Sequence, residues 1–549
     1  MATYTMRADG TAGSLAAALD GDPAVAAECL SISGHNSYAA GAAAGDTFQF
    51  TSQGGIFRGT QLSTMRAGTS GNEMIYTNYG SESPELCGAN LVTTWTVFSG
   101  SVYQAAVSPQ PDQVWIDGEF GDRKTSTGGC VNEYDWFWDS DVLYLYAPGD
   151  PDTQYTSPGV EASQLTRCFQ VGHDYIEVDG LTFSKSDEIG LFTTACSYVT
   201  VKNCMAEWCW ENGFSYFCNT AETDYTVEDC VGRYCGTHGI SIVANLTGTI
   251  DNVTVQRNEC YEIGLYQYAD PVWDSGHVFT GGIKIWTNHN VISNCLFTQN
   301  TCYSNGPASA IINSGQKGNG IWVDEANGAS GDLITVSHNL CYDNAGNGVF
   351  LENSSYNDVF GNVLYDNSRG SNALSVYCAG NIKLLARVGY DTANNNICNN
   401  TMVGGFLGIQ VTSYNQSAGL ELSNNTFKNN IVVDSTYILR ATDGGNNVGS
   451  WGTGNVYDNN CFGAEFTDFI VWGSTLHDTY DAWEADHGEA WAQVESDPSF
   501  TDDTSDDYTL ASDSPCIGGG DDLGAPYNVG LMPASTWPSG VVTDDRGDY

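Results

Sequence analysis

The chain has 549 residues, 18 Lys plus Arg against 66 Asp plus Glu, and a formal net charge of -48. Only 15% of residues are charged and 41% are hydrophobic, so it is no disordered acidic polymer and has ample material for a large core. The shortage of base argues against nucleic acid as a partner and against an anionic membrane surface, and no apolar run is long enough for membrane insertion. The opening Met1-Ala-Thr-Tyr-Thr-Met-Arg carries no signal-peptide core, so an extracellular or virion-surface location would be reached another way or after processing.

In chain order, residues 1–90 read as an N-terminal cap and first coils, with a short helical pattern at Gly13-Ser-Leu-Ala-Ala-Ala-Leu. Residues 91–160 break the coil pattern. Their dense aromatics and alternating runs, Gln113-Val-Trp-Ile-Asp-Gly and Val142-Leu-Tyr-Leu-Tyr, predict an inserted β-rich subdomain resembling a small sandwich. Residues 161–450 carry a repeat of Gly followed by apolar–variable–apolar: Gly190-Leu-Phe-Thr-Thr, Gly213-Phe-Ser-Tyr-Phe, Gly239-Ile-Ser-Ile-Val, Gly282-Ile-Lys-Ile-Trp, Gly320-Ile-Trp-Val-Asp and Gly348-Val-Phe-Leu-Glu. Asn372-Ala-Leu-Ser-Val-Tyr and Gly408-Ile-Gln-Val-Thr are expected to continue it. Between these runs lie short strands ending in Asn and often Cys, such as Val255-Gln-Arg-Asn-Glu-Cys and Val336-Ser-His-Asn-Leu-Cys. Two or three short strands per coil, separated by Asn and Gly, predict an all-β, right-handed parallel β-helix. Residues 451–549 lose the period and are expected to cap the open end, which would otherwise expose strand edges.

The Asn residues read as turn and ladder residues, suited to left-handed backbone and amide stacking. Cys204, Cys230, Cys260, Cys302 and Cys341 read as one inward column of small hydrophobes rather than metal ligands, since no CxxC pair with His spacing occurs.

Alternation places the third and fifth residues of each repeat on the outer face. One outward column then holds Lys284, Trp322 and Phe350, and the other Trp286, Asp324 and Glu352. Asp324 and Glu352 occupy one column on consecutive coils, so their carboxylates are expected about 5 Å apart, the spacing of a retaining glycosidase pair. Like charges so close push one pKa up and keep a proton available. Two long intervals precede the pair, carrying Tyr266, Trp273, His277 and Lys317, and are expected to wall a substrate cleft. Bound Ca²⁺ or plain solvation are the competing readings of this acidic column.

The coil pattern resembles the pectate-lyase-like right-handed β-helix superfamily of carbohydrate-active proteins. Gly320-Ile-Trp-Val-Asp, followed one coil later by Gly348-Val-Phe-Leu-Glu, resembles β-xylosidase-type glycoside hydrolases that add an inserted β-sandwich to this fold. The resemblance implies Asp324 as nucleophile and Glu352 as general acid/base, a carbohydrate substrate and no required cofactor. The reading is therefore a retaining glycoside hydrolase on a neutral or weakly charged poly- or oligosaccharide. Its rivals are a lyase or epimerase on a uronic polymer, with Lys284 as base, and a glycan-binding tailspike or adhesin, for which a homotrimer is expected.

Overall fold

The computed structural model describes residues 1–521 and 523 apart from 246–247, 267–278, 308–317, 370–373, 375–377, 388, 415–421, 443–453 and 489–490. The chain forms two compact units. One comprises Met1–Cys218, Asp224–Ile242 and Ile263–Phe279; the other comprises Asn219–Thr223, Val243–Glu262 and Thr280–Tyr549.

In the first unit the coil strands run parallel in three sheets. Ile176–Asp179 and Val199–Lys202 belong to one, Arg167–Val171, Ile189–Thr194 and Asn212–Cys218 to the second, and Thr182–Ser184, Met205–Glu207 and Val231–Arg233 to the third. The expected sandwich is inserted here. A four-stranded antiparallel sheet containing Ala89–Val92, Val114–Ile116 and Val160–Ser163 faces a five-stranded, mostly antiparallel sheet containing Val102–Ala106, Asp135–Asp139 and Val142–Tyr146. Between them Trp95, Ile116, Trp136, Leu143, Leu145 and Val160 make a separate apolar core. A fully buried Glu161 ties this insert to the coils, held by Arg58 at 2.6 Å and Lys185 at 2.5 Å.

The second unit is a continuous stack of coils. Glu259–Tyr261, Thr301–Tyr303, Leu340–Tyr342, Val363–Tyr365, Thr401–Val403 and Ile431–Val433 line one parallel sheet. Ser293–Thr298, Ile334–Ser337, Asn357–Phe360 and Asn396–Cys398 lie in another. The third holds Gly281–Trp286, Asn319–Asp324, Val349–Glu352, Ile382–Arg387, Leu407–Tyr414 and Tyr437–Thr442. Inward residues such as Ile283, Ile321, Val349, Ile382 and Ile409 are fully buried, because no coil can hide its apolar face except against its neighbours.

Asparagine ladders hold the turns. The side-chain amides of Asn258, Asn300, Asn339, Asn362, Asn400 and Asn430 each donate to the Oδ1 of the next ladder residue at 2.9–3.0 Å, ending on Asn460. The left-handed residue is the one before each ladder Asn: Arg257, Gln299, His338, Gly361, Asn399 and Asn429 all have φ between 55° and 65°. The ladder Asn itself therefore serves as the expected hydrogen-bonding block between coils, while the left-handed backbone also expected of it falls on the residue before. His338 is one of these turn residues.

Two expectations are corrected. The cysteines form two sets rather than one column: Cys260, Cys302 and Cys341 pair in register within strands, whereas Cys204 and Cys230 precede theirs. The coil after Glu352 uses Ile382–Arg387, so Asn372–Tyr377 is not the strand that continues the repeat; most of that segment lies outside the described residues. Asp187 is 9% exposed and accepts from the backbone N–H of Asp112.

Candidate active site

The site is set by strand register. Trp286, Asp324, Glu352 and Leu385 stand opposite one another on four successive strands, and beside them run Lys284, Trp322, Phe350 and Lys383. Both outward columns expected at the acid pair are thus present. Asp324 is 8% exposed and Glu352 3%, so both carboxylates sit in a recess of low dielectric rather than on an open face.

Each acid has its own cation. Lys284 Nζ lies 2.9 Å from Asp324 Oδ2 and 3.7 Å from the centre of the Trp322 ring. Arg387 Nη1 donates to Glu352 Oε1 at 2.8 Å. Burial raises the Asp324 carboxyl, and Lys284 opposes that rise. Glu352 is pushed up to about 7, first by burial and then by the Asp324 charge, with Arg387, Lys284 and Lys383 pulling the other way. Both carboxyls are thus raised, and Glu352, at about 7, is the one that titrates near neutral pH beside the Asp324 charge.

Trp322 and Phe350 point outward but are 1% and 0% exposed, packing with Leu385 as one apolar cluster. Lys284 covers the first ring and Lys383, its Nζ 5.2 Å from the second ring, covers the other. They form a floor, and their faces are not open to a sugar. Trp286 is half-buried, and its indole Nε1 donates to Glu325 Oε2 at 2.8 Å. Glu325 has left-handed backbone, φ 48°, and its carboxylate also lies 3.5 Å from His289 Nε2. His289 stacks on Tyr390, and its burial holds the imidazole below its usual pKa.

Tyr266 belongs to the first unit, where it packs with Trp208 and Tyr234 at ring separations of 4.9 and 5.8 Å. Trp273, His277 and Lys317 lie outside the described residues. The residues missed from sequence are Lys383 and Arg387. Misplacing the strand that carries them also hid the site's arginine. Across the six strands from Gly281–Trp286 to Tyr437–Thr442 there are four bases, Lys284, Lys383, Arg387 and Arg440, and two acids, Asp324 and Glu352. In a chain with 66 acids and 18 bases, this face inverts the balance.

Comparison with known proteins defines the fold class. A sequence profile described as a right handed beta helix region matches residues 159–273. The structure of the complex of XylC with xylose aligns with a TM-score of 0.56 at 14% identity, covering 86% of each chain. A structure described as a glycoside hydrolase aligns at 0.49 and 10% identity, covering 87% of this chain and 97% of its own. The alginate lyase of Paenibacillus sp. str. FPU-7 aligns at 0.38 and 12% identity, over 67% and 93%. No curated protein sequence matches. The chain is a right-handed parallel β-helix with an inserted sandwich, and the fold is shared with XylC.

Proposed function

We propose that the chain is a retaining glycoside hydrolase acting on a neutral or weakly charged poly- or oligosaccharide. The observation that carries this is the in-register pair Asp324–Glu352, each acid with a different cation and with Glu352 pushed up to about 7. Asp324, kept ionised by Lys284, attacks the anomeric carbon and forms a glycosyl ester. Glu352 gives its proton to the departing oxygen. The resulting Glu352 carboxylate then takes a proton from water, which attacks the anomeric carbon and releases Asp324. Trp286, fixed by Glu325, offers an apolar wall for the sugar, and no step calls for a cofactor.

The test is a panel of aryl glycosides and oligosaccharides assayed with wild type, Asp324→Asn and Glu352→Gln. Hydrolysis by wild type and its loss in both folded variants supports the reading; undiminished hydrolysis in both rejects it.

A second reading is favoured by Arg387 and Lys284 standing together at the acids, since elimination or epimerisation on a uronic polymer needs a base and a cation that neutralises the sugar carboxylate. An unsaturated product absorbing in the ultraviolet would select it.

A further inference from the structure

Of the 18 cysteines, 17 are buried and only Cys516 is partly exposed. Its thiol neighbours that of Cys461, a residue of the coil strand Asn460–Cys461. Both line one cavity of about 390 Å³, together with Ile431, Val494, Leu510 and Gly519. Both also pack on the same apolar cluster, which joins Val363, Tyr365, Val403, Ile431 and Val433 of the coils to Tyr508 of the following hairpin. The pair thus spans the coil stack and the chain that returns across it, a different situation from Cys260, Cys302 and Cys341. Those three are fully buried, in register on stacked strands, with no route for an oxidant.

We propose that Cys461 and Cys516 form a disulfide that pins the returning segment around residues 498–516 onto the last coils. The chemistry of the two thiols is divided in the way such a reaction needs. The Cys461 thiol donates to the Ser496 carbonyl at 3.2 Å, and its pKa is raised by the neighbouring Cys516 and by burial. The Cys516 backbone N–H donates to Ser514 Oγ at 3.2 Å, and its thiol, beside Cys461, has its pKa lowered. The partly exposed Cys516 supplies the attacking sulfur and the buried Cys461 the resolving one. With glutathione disulfide as oxidant, Cys516 attacks one sulfur and expels one glutathione. Cys461 then loses its proton to solvent and displaces the second glutathione from Cys516. Two protein thiols give up two protons and two electrons, and one glutathione disulfide becomes two glutathiones.

The experiment is incubation of the folded full chain with glutathione disulfide, followed by thiol counting in denaturant and peptide mass mapping. Wild type is expected to lose two of its 18 thiols, with one cross-linked peptide pair containing Cys461 and Cys516. Cys461→Ser is expected to accumulate glutathione on Cys516, and Cys516→Ser to keep all remaining thiols. Oxidised wild type should unfold at a higher temperature than reduced wild type, with no such difference in Cys516→Ser. Retention of all thiols, a persistent glutathione adduct on Cys516 in wild type, or a cross-link between other cysteines overturns the proposal. None of these readouts depends on glycosidase activity.

Discussion

Asp324 and Glu352 face each other across one rung of a parallel sheet, and each is neutralised from the far side, Asp324 by Lys284 and Glu352 by Arg387. The two acids are thus set apart by their partners rather than by their surroundings, which are equally buried. Lys284 opposes the rise that burial imposes on Asp324, whereas burial and the Asp324 charge outweigh Arg387 and push Glu352 up to about 7.

This asymmetry fixes a pH profile. Glu352 must be protonated to act as acid, so turnover is expected to fall as pH rises through about 7. Arg387→Gln removes a charge that lowers the Glu352 pKa, so the alkaline limb should move to higher pH. Lys284→Gln removes a charge that lowers the Asp324 pKa, so the acidic limb should also move to higher pH. Rate measurements from pH 4 to 10 on a cleaved aryl glycoside read both limbs.

The same raised pKa enters stability. The Glu352 carboxyl ordinarily titrates near 4.5 and in the fold near 7, so the stability its buried neutral form contributes is intact below about 4.5 and is lost as pH rises through about 7. Glu352→Gln cannot ionise. Its melting temperature relative to wild type is expected to rise between pH 5 and pH 8, read by thermal unfolding at both values.

Loss of the acid and loss of the nucleophile should differ. With a good phenolate leaving group, Glu352→Gln is expected to lose about 10²-fold to 10⁴-fold in rate, the range for a general acid/base, and Glu352→Ala should recover activity when azide is added as a small nucleophile. Asp324→Asn should lose more with the same substrate. Equal losses, with no azide rescue, would contradict the assignment of roles.

Asn339 donates to Asn362 Oδ1 and the Phe297 carbonyl, and its own Oδ1 accepts from the backbone and side chain of Asn300, all fully or nearly fully buried. Asn339→Ala strands several of these groups without water, so a loss of about 3 kcal/mol is expected in urea unfolding. Asn339→Asp, adding charge there, should be worse.

Glu161 offers a parallel test in the first unit. Glu161→Ala leaves Arg58 and Lys185 facing each other without a carboxylate, and a loss of about 3–5 kcal/mol is expected. Chemical denaturation should show it.

The coil stack was legible because a Gly-apolar-x-apolar repeat can satisfy its apolar residues in few other ways, and the acid pair was legible because parallel register carries a column from one coil to the next. Arg387 and Lys383 were lost at a coil that has Asn381 where the earlier repeats have Gly. The run Gly380-Asn-Ile-Lys-Leu-Leu was the available signal, its Ile382 and Leu384 alternating like Val349 and Leu351. Alternation also placed Trp322 and Phe350 correctly on the outer face, yet it cannot report what covers that face. Two lysine side chains, one from a coil earlier and one from a coil later, close over the rings. Likewise Glu325 follows Asp324 in sequence, and only its left-handed backbone turns the carboxylate back to the Trp286 indole.

The central claim is that Asp324 forms a covalent bond to the sugar. The most direct measurement is mass spectrometry of the protein after reaction with an activated 2-deoxy-2-fluoro glycoside of whichever sugar the panel shows to be cleaved. One label per chain, mapped to the peptide at Asp324 and absent from Asp324→Asn, is the predicted result. Label on Glu352, or continued turnover of the substrate with inversion at the anomeric carbon and no label, would contradict it.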